Sequence, residues 1–259
     1  MTDAAPPKAK AVTACVLIIG NEILSGRTHD ANLPWLAAQL NEAGIQLLEA
    51  RVIPDDEAVI VAAINEVRRT FDYVFTTGGI GPTHDDITAE SVARAFEVKL
   101  IQHPEAVRRL RSQYANPADL NAARLRMANV PEGATLIDNP VSKAPGFKIE
   151  NVYVMAGVPV IMRAMFEGVR AGLAGGAKML SRTVSANLPE GKMADGLGAL
   201  QRRYADIQIG SYPYFRAGQV GAAIVLRGTD AARLAAAAEE LKALMRELGG
   251  EPTEDLSAA

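Results

Sequence analysis

An α/β fold, a mostly parallel sheet between two layers of helices followed by a small α+β domain, is predicted by three observations. Short apolar runs alternate with amphipathic helical patterns in units of roughly 30 residues, the mark of βαβ crossovers. Polar loops rich in glycine and proline follow those runs: Gly20 onward, Pro54 to Glu57, Gly78 to Thr88, Asp138 to Gly146 and Gly157 to Pro159. In a parallel sheet such loops gather beyond the carboxyl ends of the strands, where ligands bind. After "LAGGAKMLSR" the pattern changes to strand, helix, hairpin and helix, which reads as a separate unit.

Taken in order, Val12 to Ile19 is a near-continuous apolar run ending at Gly20, a strand buried on both faces. Asn32 is placed to cap a helix carrying Leu33, Leu36, Ala37 and Leu40 on one face, with Gly44 to end it. Ile45 to Ile53 is strand-like. Asp55 or Asp56 then caps a helix whose Ile60, Ala63, Ile64 and Val67 recur at helical spacing. Tyr73 to Thr76 makes a third strand, and Thr88 is a cap for a helix through Phe96. Helical patterns cover Pro104 to Tyr114 and Asp119 to Ala128, short strands Thr135 to Ile137 and Val152 to Ala156, and a helix Val160 to Leu173. The second domain follows as a strand (Thr183 to Asn187), a helix (Met193 to Tyr204) and a hairpin through "RAGQ" (Ile207 to Phe215, Val220 to Arg227). Thr229 or Asp230 then caps an alanine-rich helix that Gly249 and Gly250 stop. The expected limits are a disordered tail over 1–10, a first domain over 11–176, a second over 177–250 and a tail over 251–259.

Composition narrows the function classes. At 49% hydrophobic and 22% charged residues the chain is of ordinary soluble globular type. A formal net charge of −3 argues against a nucleic-acid or membrane-surface partner, and Arg108, Arg109 and Arg111 read as a solvated helix face. The lone Cys15 cannot form an internal disulfide, which fits a reducing compartment, and its place in a buried strand makes it packing rather than a nucleophile. No segment reaches the roughly 18 apolar residues of a membrane span, and "MTDAAPPKAK" reads as a tail rather than a signal peptide. A cytoplasmic protein is expected.

The stretch "TTGGIGPTHDDIT", Thr76 to Thr88, carries the chemistry. Gly78, Gly79 and Gly81 leave backbone N–H groups uncovered and feed a helix N-terminus, and both features favour anions. It is not a Walker loop, having no Gly-Lys-Ser/Thr ending, nor a dinucleotide fingerprint, since His84 stands where the third glycine belongs. Asp85 and Asp86 would repel a phosphate unless a divalent cation bridged them, and a helix cap accounts for only one of the two. His84 is a metal ligand, a general acid or a plain hydrogen-bond donor. The doublet Asp55 and Asp56 with Glu57 reads as capping. In "GRTHDAN", Asp30 and Asn32 line the site or cap the helix. In "DNPVSKAPG", two prolines frame Ser142 and Lys143 as an anion contact requires. Trp35, Met162 and Met165 read as core.

Together "GNEILSGRTHDAN", "TTGGIGPTHDDIT", "NPVSKAPG" and "AGVPVIMRAMF" resemble, in order and spacing, the competence/damage-inducible protein A (CinA) family, from about Ala11 to Gly249. The resemblance implies a three-layer α/β/α molybdopterin-binding-like domain of the molybdenum-cofactor biosynthesis type, followed by a small KH-like α+β domain. The sequence given stops where longer members continue into a nicotinamide-nucleotide amidase domain, so that deamidase activity is not implied. What is implied is binding of a phosphorylated small molecule, a nucleotide or a pterin. In some relatives it extends to metal-dependent pyrophosphatase action on ADP-ribose, and FAD synthases carry a related domain.

Carried onto this sequence, the ligand positions are Glu22, Ser25, Asp30, Asn32, Thr77, Gly78, Gly79, Gly81, Lys143 and Gly146, with Gly157 and Pro159 in the last loop. Asp85 and Asp86, with Glu22, are the expected holders of a divalent cation, Mg²⁺ or Mn²⁺, and His84 with the two aspartates forms the expected catalytic set. Two positions depart from the family pattern: Asn21 stands where many relatives have aspartate, and Ile161 where many have glutamate. The expected activity is metal-dependent hydrolysis of the phosphoanhydride of an ADP-ribose-like or FAD-like nucleotide. The alternatives are a non-catalytic molybdopterin- or nucleotide-binding protein and an interaction module with a vestigial pocket. A homodimer or other homo-oligomer is the expected assembly. The only nearby glycine-x-x-glycine, Gly218 to Gly221, lies on a hairpin turn, so the KH-like label does not imply RNA binding.

Overall fold

The computed structural model describes residues 11–116, 119–216 and 218–255, and the chain divides into two compact units between Gly176 and Ala177. The tail expected over 1–10 lies outside the described residues, as does residue 217 of the "RAGQ" turn.

The first unit starts with β1 (Val12–Ile19), α1 (Asn21–Leu24), α2 (Asn32–Glu42), β2 (Ile45–Ile53), α3 (Glu57–Thr70), β3 (Tyr73–Thr77) and α4 (Thr88–Ala95). It continues with β4 (Leu100–Gln102), α5 (Pro104–Gln113), α6 (Ala122–Leu125), β5 (Asn129–Pro131), β6 (Thr135–Ile137), β7 (Gly146–Ile149), β8 (Val152–Met155) and α7 (Pro159–Arg170). Six of its strands form one sheet in the order β2-β1-β3-β8-β7-β6. The first four run parallel, and β7 pairs antiparallel with both β8 and β6.

Why β1 reads as an unbroken apolar run follows from the two cores it separates. Cys15, Leu17 and Ile19 pack with Ile60, Ile64 and Val67 of α3 and Val92 of α4. Ala14, Val16 and Ile18 face the other way, toward Leu36 and Leu40 of α2 and Met162, Met165 and Phe166 of α7. A strand covered on both faces has no solvent side to alternate toward. Phe166 meets Trp35 edge-on at 5.5 Å and Phe75 at 5.8 Å, which ties both helices of this layer to the sheet. Burial, with Glu49 adding to it, pushes the Cys15 thiol up to about 12, so it stays neutral inside the core.

The sequence pattern and the structure part company between α5 and β6. The helix expected over Asp119 to Ala128 is reduced to α6 and a 3₁₀ turn, Arg126–Ala128. Ala128 is fully buried with Ala106 and Leu110 of α5, and its carbonyl accepts from His103 N–H at 2.9 Å. The chain is thereby drawn straight into β5, which pairs with β4. Both strands are three residues long, too short to show a period.

Gly146, expected among the ligand residues, opens β7 in a buried position. A Cβ there would collide with the Val154 carbonyl oxygen of β8, so its role is close strand packing.

The second unit contains β9 (Leu180–Ala186), α8 (Glu190–Arg203), β10 (Gln208–Arg216), β11 (Gln219–Gly228), α9 (Ala231–Glu247) and β12 (Thr253–Asp255). Its sheet has the order β10-β11-β9-β12, antiparallel throughout. Met193 and Leu200 of α8 and Leu234, Leu241 and Met245 of α9 share one core with Val184, Ile224 and Leu226. The sequence reading ended this domain at 250. Instead β12 adds to the β9 edge, with Glu254 held between Arg182 and Lys242. No helix among the described residues is long and apolar enough to cross a membrane.

Gly146→Ala is expected to lower unfolding free energy by about 1–3 kcal/mol, the usual cost of forcing atoms into a packed interior, read from the midpoint of a urea unfolding curve. An unchanged midpoint would mean that β7 and β8 separate freely at this point.

Candidate functional site

The carboxyl ends of β1, β3 and β8 meet almost backbone to backbone. Gly78, with φ +106°, lies so close to the Ile19 carbonyl oxygen that a Cβ would strike it. From the other side, a Cβ on Gly157 would lie only 3.3 Å from Gly78 Cα. The Gly78 N–H donates to Met155 O at 3.1 Å. The next residue, Gly79, has φ +66°, and a Cβ there would collide with Thr88 Oγ1. Only glycine takes both conformations without strain or clash.

Thr88 completes the turn. It was expected as a helix cap, but it is the first residue of α4, buried, and makes no side-chain cap. Its hydroxyl donates to Gly78 O at 3.1 Å and its N–H to Gly79 O at 3.0 Å. The carbonyls of the turn are thus satisfied internally. No hydrogen bond from the described residues reaches the N–H groups of Gly79, Ile80 and Gly81.

Those residues border a cleft of about 390 Å³. All five polar loops contribute to it: Ile19 and Glu22, then Asp55, then Gly78 to Pro82 with Asp85 and Asp86, then Asn139, Ser142 and Ala144, and last Ala156 to Val158. Met127, Ile161 and Met165 supply apolar surface. Four lining side chains are carboxylates, and none of the described ones is basic.

The paired aspartates have different duties. Asp86 Oδ2 accepts from the Thr83 N–H at 2.7 Å and the Thr83 hydroxyl at 2.6 Å, closing the turn before α4. The Asp85 side chain is 60% exposed, and neighbouring Thr83, then its own backbone N–H, hold its carboxyl below the usual aspartate value. His84 does not line the cleft: its ring is 96% exposed, 3.9 Å from Asp85.

The other expected site residues lie around the cleft rather than in its lining. Asp30, not Asn32, caps α2, accepting from Leu33 N–H at 2.8 Å. Asn32 lies within α2, buried, and donates to Gly157 O at 2.7 Å, while its Oδ1 has no partner. Ser25 is exposed, and its hydroxyl donates to Glu22 O. Thr77 is buried with an unpartnered hydroxyl, as is Thr76. Pro159 starts α7 and does not line the cleft. Lys143 holds φ +61° and also lies outside the lining.

Two contributors escaped the sequence reading. Asp56 caps α3 by accepting from Val59 N–H at 3.0 Å, which leaves Asp55 free to enter the cleft and accept from Asn21 N–H at 2.8 Å. The signal was present, since one helix has one cap position and the sequence offers two aspartates. Asn139, 1% exposed, organises the proline-framed loop. Its Oδ1 accepts from Val141 and Ser142 N–H, and its Nδ2 donates to Ser142 Oγ and Ala144 O.

A mostly parallel sheet sandwiched by helices, with a glycine turn and a cleft over its carboxyl edge, defines the class. Residues 15–173 match the family described as a probable molybdopterin binding domain, and residues 178–250 match the middle domain of FAD synthase. The chain belongs to the CinA family. It is 34% identical to the protein CinA of Thermoplasma acidophilum, whose structure superposes with a TM-score of 0.59 over 62% of this chain and 98% of that one. A protein of Aeropyrum pernix is 32% identical over 93% of this chain and 97% of its own length. A CinA-like protein of Desulfosudis oleivorans is 37% identical, and the match spans 71% of this chain and 48% of that protein.

Asn139→Ala removes four hydrogen bonds from a buried position. It is expected to cost about 2–4 kcal/mol at roughly 1 kcal/mol per bond, and to raise hydrogen exchange over residues 139–146 ahead of the sheet. Exchange that rises only with global unfolding would show that the prolines alone hold the loop.

Proposed function

We propose that the cleft binds the pyrophosphate of a nucleotide or pterin together with a divalent cation, and that the reaction is hydrolysis of the phosphoanhydride. The observation that carries this is the pairing of unpartnered Gly79, Ile80 and Gly81 N–H groups with four carboxylates in one cleft. Free amides seek anions, and carboxylates repel them; one cation between phosphate and carboxylate reconciles the two.

The donor set fits a cation that arrives on phosphate oxygens rather than a resident ion. Among the described residues no three His, Cys, Asp or Glu side chains gather closely enough to hold a metal. Mg²⁺-type ions are commonly held by one or two carboxylates plus substrate phosphate. Asp85 and Glu22 would hold it, with Asp86 contributing only what its bonds to Thr83 leave free. Bound there, a divalent cation lowers the pKa of a coordinated water and offsets phosphoryl charge.

The chain's own residues do the rest. The loop N–H groups take phosphate oxygens without the cost of reorganising, because Thr88 and Gly78 fix the turn beforehand. Asp85, its pKa lowered, stays anionic below the usual aspartate range. Met127, Ile161 and Met165 offer apolar surface to a base, flavin or pterin ring. His84, exposed outside the cleft, has no part in this reading.

The second reading is a binding protein without turnover. The lack of three gathered ligands among the described residues supports it, as do Asn21 and Ile161, at positions where the family resemblance implies acids.

Metal-stripped protein incubated with ADP-ribose or FAD and Mg²⁺ or Mn²⁺ is expected to release AMP, resolved by chromatography. Asp85→Asn should cut the rate by about 100-fold or more without moving the melting temperature. Saturable binding with no product under any cation would favour the second reading. Asp86→Asn is the poorer test, because it also loosens the Thr83 turn.

A further inference from the structure

Beside the cleft a recess of about 20 Å³ borders the glycine turn, and it shares Gly79, Ile80, Gly81, Asp86 and Met127 with the cleft. At that volume it holds no more than a single water. Its one basic lining residue among those described is Arg126.

Three facts about Arg126 set it apart. It is half-buried, yet no ion pair or hydrogen bond to its side chain occurs among the described residues, whereas Arg51, Arg94 and Arg109 each meet a carboxylate. The acid across the recess, Asp86, directs Oδ2 to Thr83 and makes no ion pair with the guanidinium. And Arg126 stands on a 3₁₀ turn fixed by fully buried Ala128, with Met127 already in the cleft wall. A half-buried guanidinium with no counter-charge, lining the same recess as residues whose amides have no acceptor, is arranged for an anion that supplies both.

We propose that Arg126 is the specificity-determining cation of this site, pairing with a phosphate oxygen of the ligand bound at the glycine turn and making affinity depend on phosphate charge. This rests on the reading that the cleft takes a phosphoryl ligand. Neither the glycine turn nor the carboxylates distinguish one phosphate from two. A planar fork beside the turn does, because a diphosphate offers it an oxygen that a monophosphate has already given to the amides.

The test is calorimetric titration of the full chain with Mg²⁺ and adenosine, AMP, ADP or inorganic pyrophosphate, using wild type, Arg126→Ala and Arg126→Lys. Wild type is expected to bind ADP more tightly than AMP. Arg126→Ala should weaken ADP and pyrophosphate by about tenfold or more while leaving AMP and adenosine much less changed. Arg126→Lys, which keeps the charge and loses the fork, should fall between, and it decides the matter alone if the alanine variant does not fold. An ADP-to-AMP affinity ratio unchanged in both variants overturns the role of Arg126 and leaves the phosphoryl cleft standing. A wild type that shows no phosphate dependence overturns the cleft reading, and the inference with it.

Discussion

The contact between Gly78 and the Ile19 carbonyl is the constraint from which the rest of the site follows. Because β1 and β3 are adjacent and parallel, their carboxyl ends reach the same edge together, and the chain must leave that edge without a side chain in the way. Gly78 does so in a left-handed conformation, and Gly157 at the end of β8 fits against its Cα. Any larger residue would part the three strand ends. Thr88 then uses its hydroxyl and its N–H to occupy the carbonyls of the turn, so the N–H groups that remain are those facing the cleft. Asn32 reinforces the junction from the opposite layer by holding the Gly157 carbonyl.

Electrostatics decides what such a turn can accept. Two like charges 4 Å apart near a protein surface repel by about 4 kcal/mol, more than one amide hydrogen bond returns. An anion facing Asp85, Asp55 and Glu22 is therefore rejected unless positive charge enters with it or already stands nearby. In the proposed reading a phosphate-borne cation would meet that need on the carboxylate side and Arg126 on the amide side, and the two would not be redundant. The first would neutralise the protein's acids, the second the ligand's surplus charge.

Much of this was legible in the sequence, for definite reasons. Long elements declare themselves, Val12 to Ile19 by an unbroken apolar run and Ile60 to Val67 and Leu234 to Met245 by helical period. The convergence of five loops was legible because a parallel sheet brings its carboxyl ends to one edge. The three-residue β4, β5 and β12 were not, since less than two strand periods rarely stands out, though the equally short Thr135 to Ile137 did, and their pairing is set by partners distant in sequence. Within the loops the limit was sharper. Asp55 and Asp56, or Asp85 and Asp86, are chemically identical neighbours, and which one closes its own local turn depends on where the chain turns next. Asn139 and Arg126 sit in stretches whose sequence looks like ordinary turn and helix. Their importance arises only from what the fold sets beside them.

The apolar share of the cleft narrows the ligand further. Ile161 lines it, and Met127 and Met165 add apolar surface. These three side chains carry no charge, whereas Glu22, Asp55, Asp85 and Asp86 place four carboxylates in the same cleft. No aromatic side chain is among the described lining residues, so a ring would be held by aliphatic and thioether contact and not by stacking. Methionine adapts to differing ring shapes at little cost, whereas an aromatic clamp selects one plane and one width. Adenine, flavin and pterin would then be poorly distinguished by the ring contacts, and selectivity would fall to the phosphate end. There the turn is fixed by Thr88, Asp55 and Asp86 are held by hydrogen bonds to backbone N–H groups, and the guanidinium of Arg126 beside the turn has no counter-charge among the described residues.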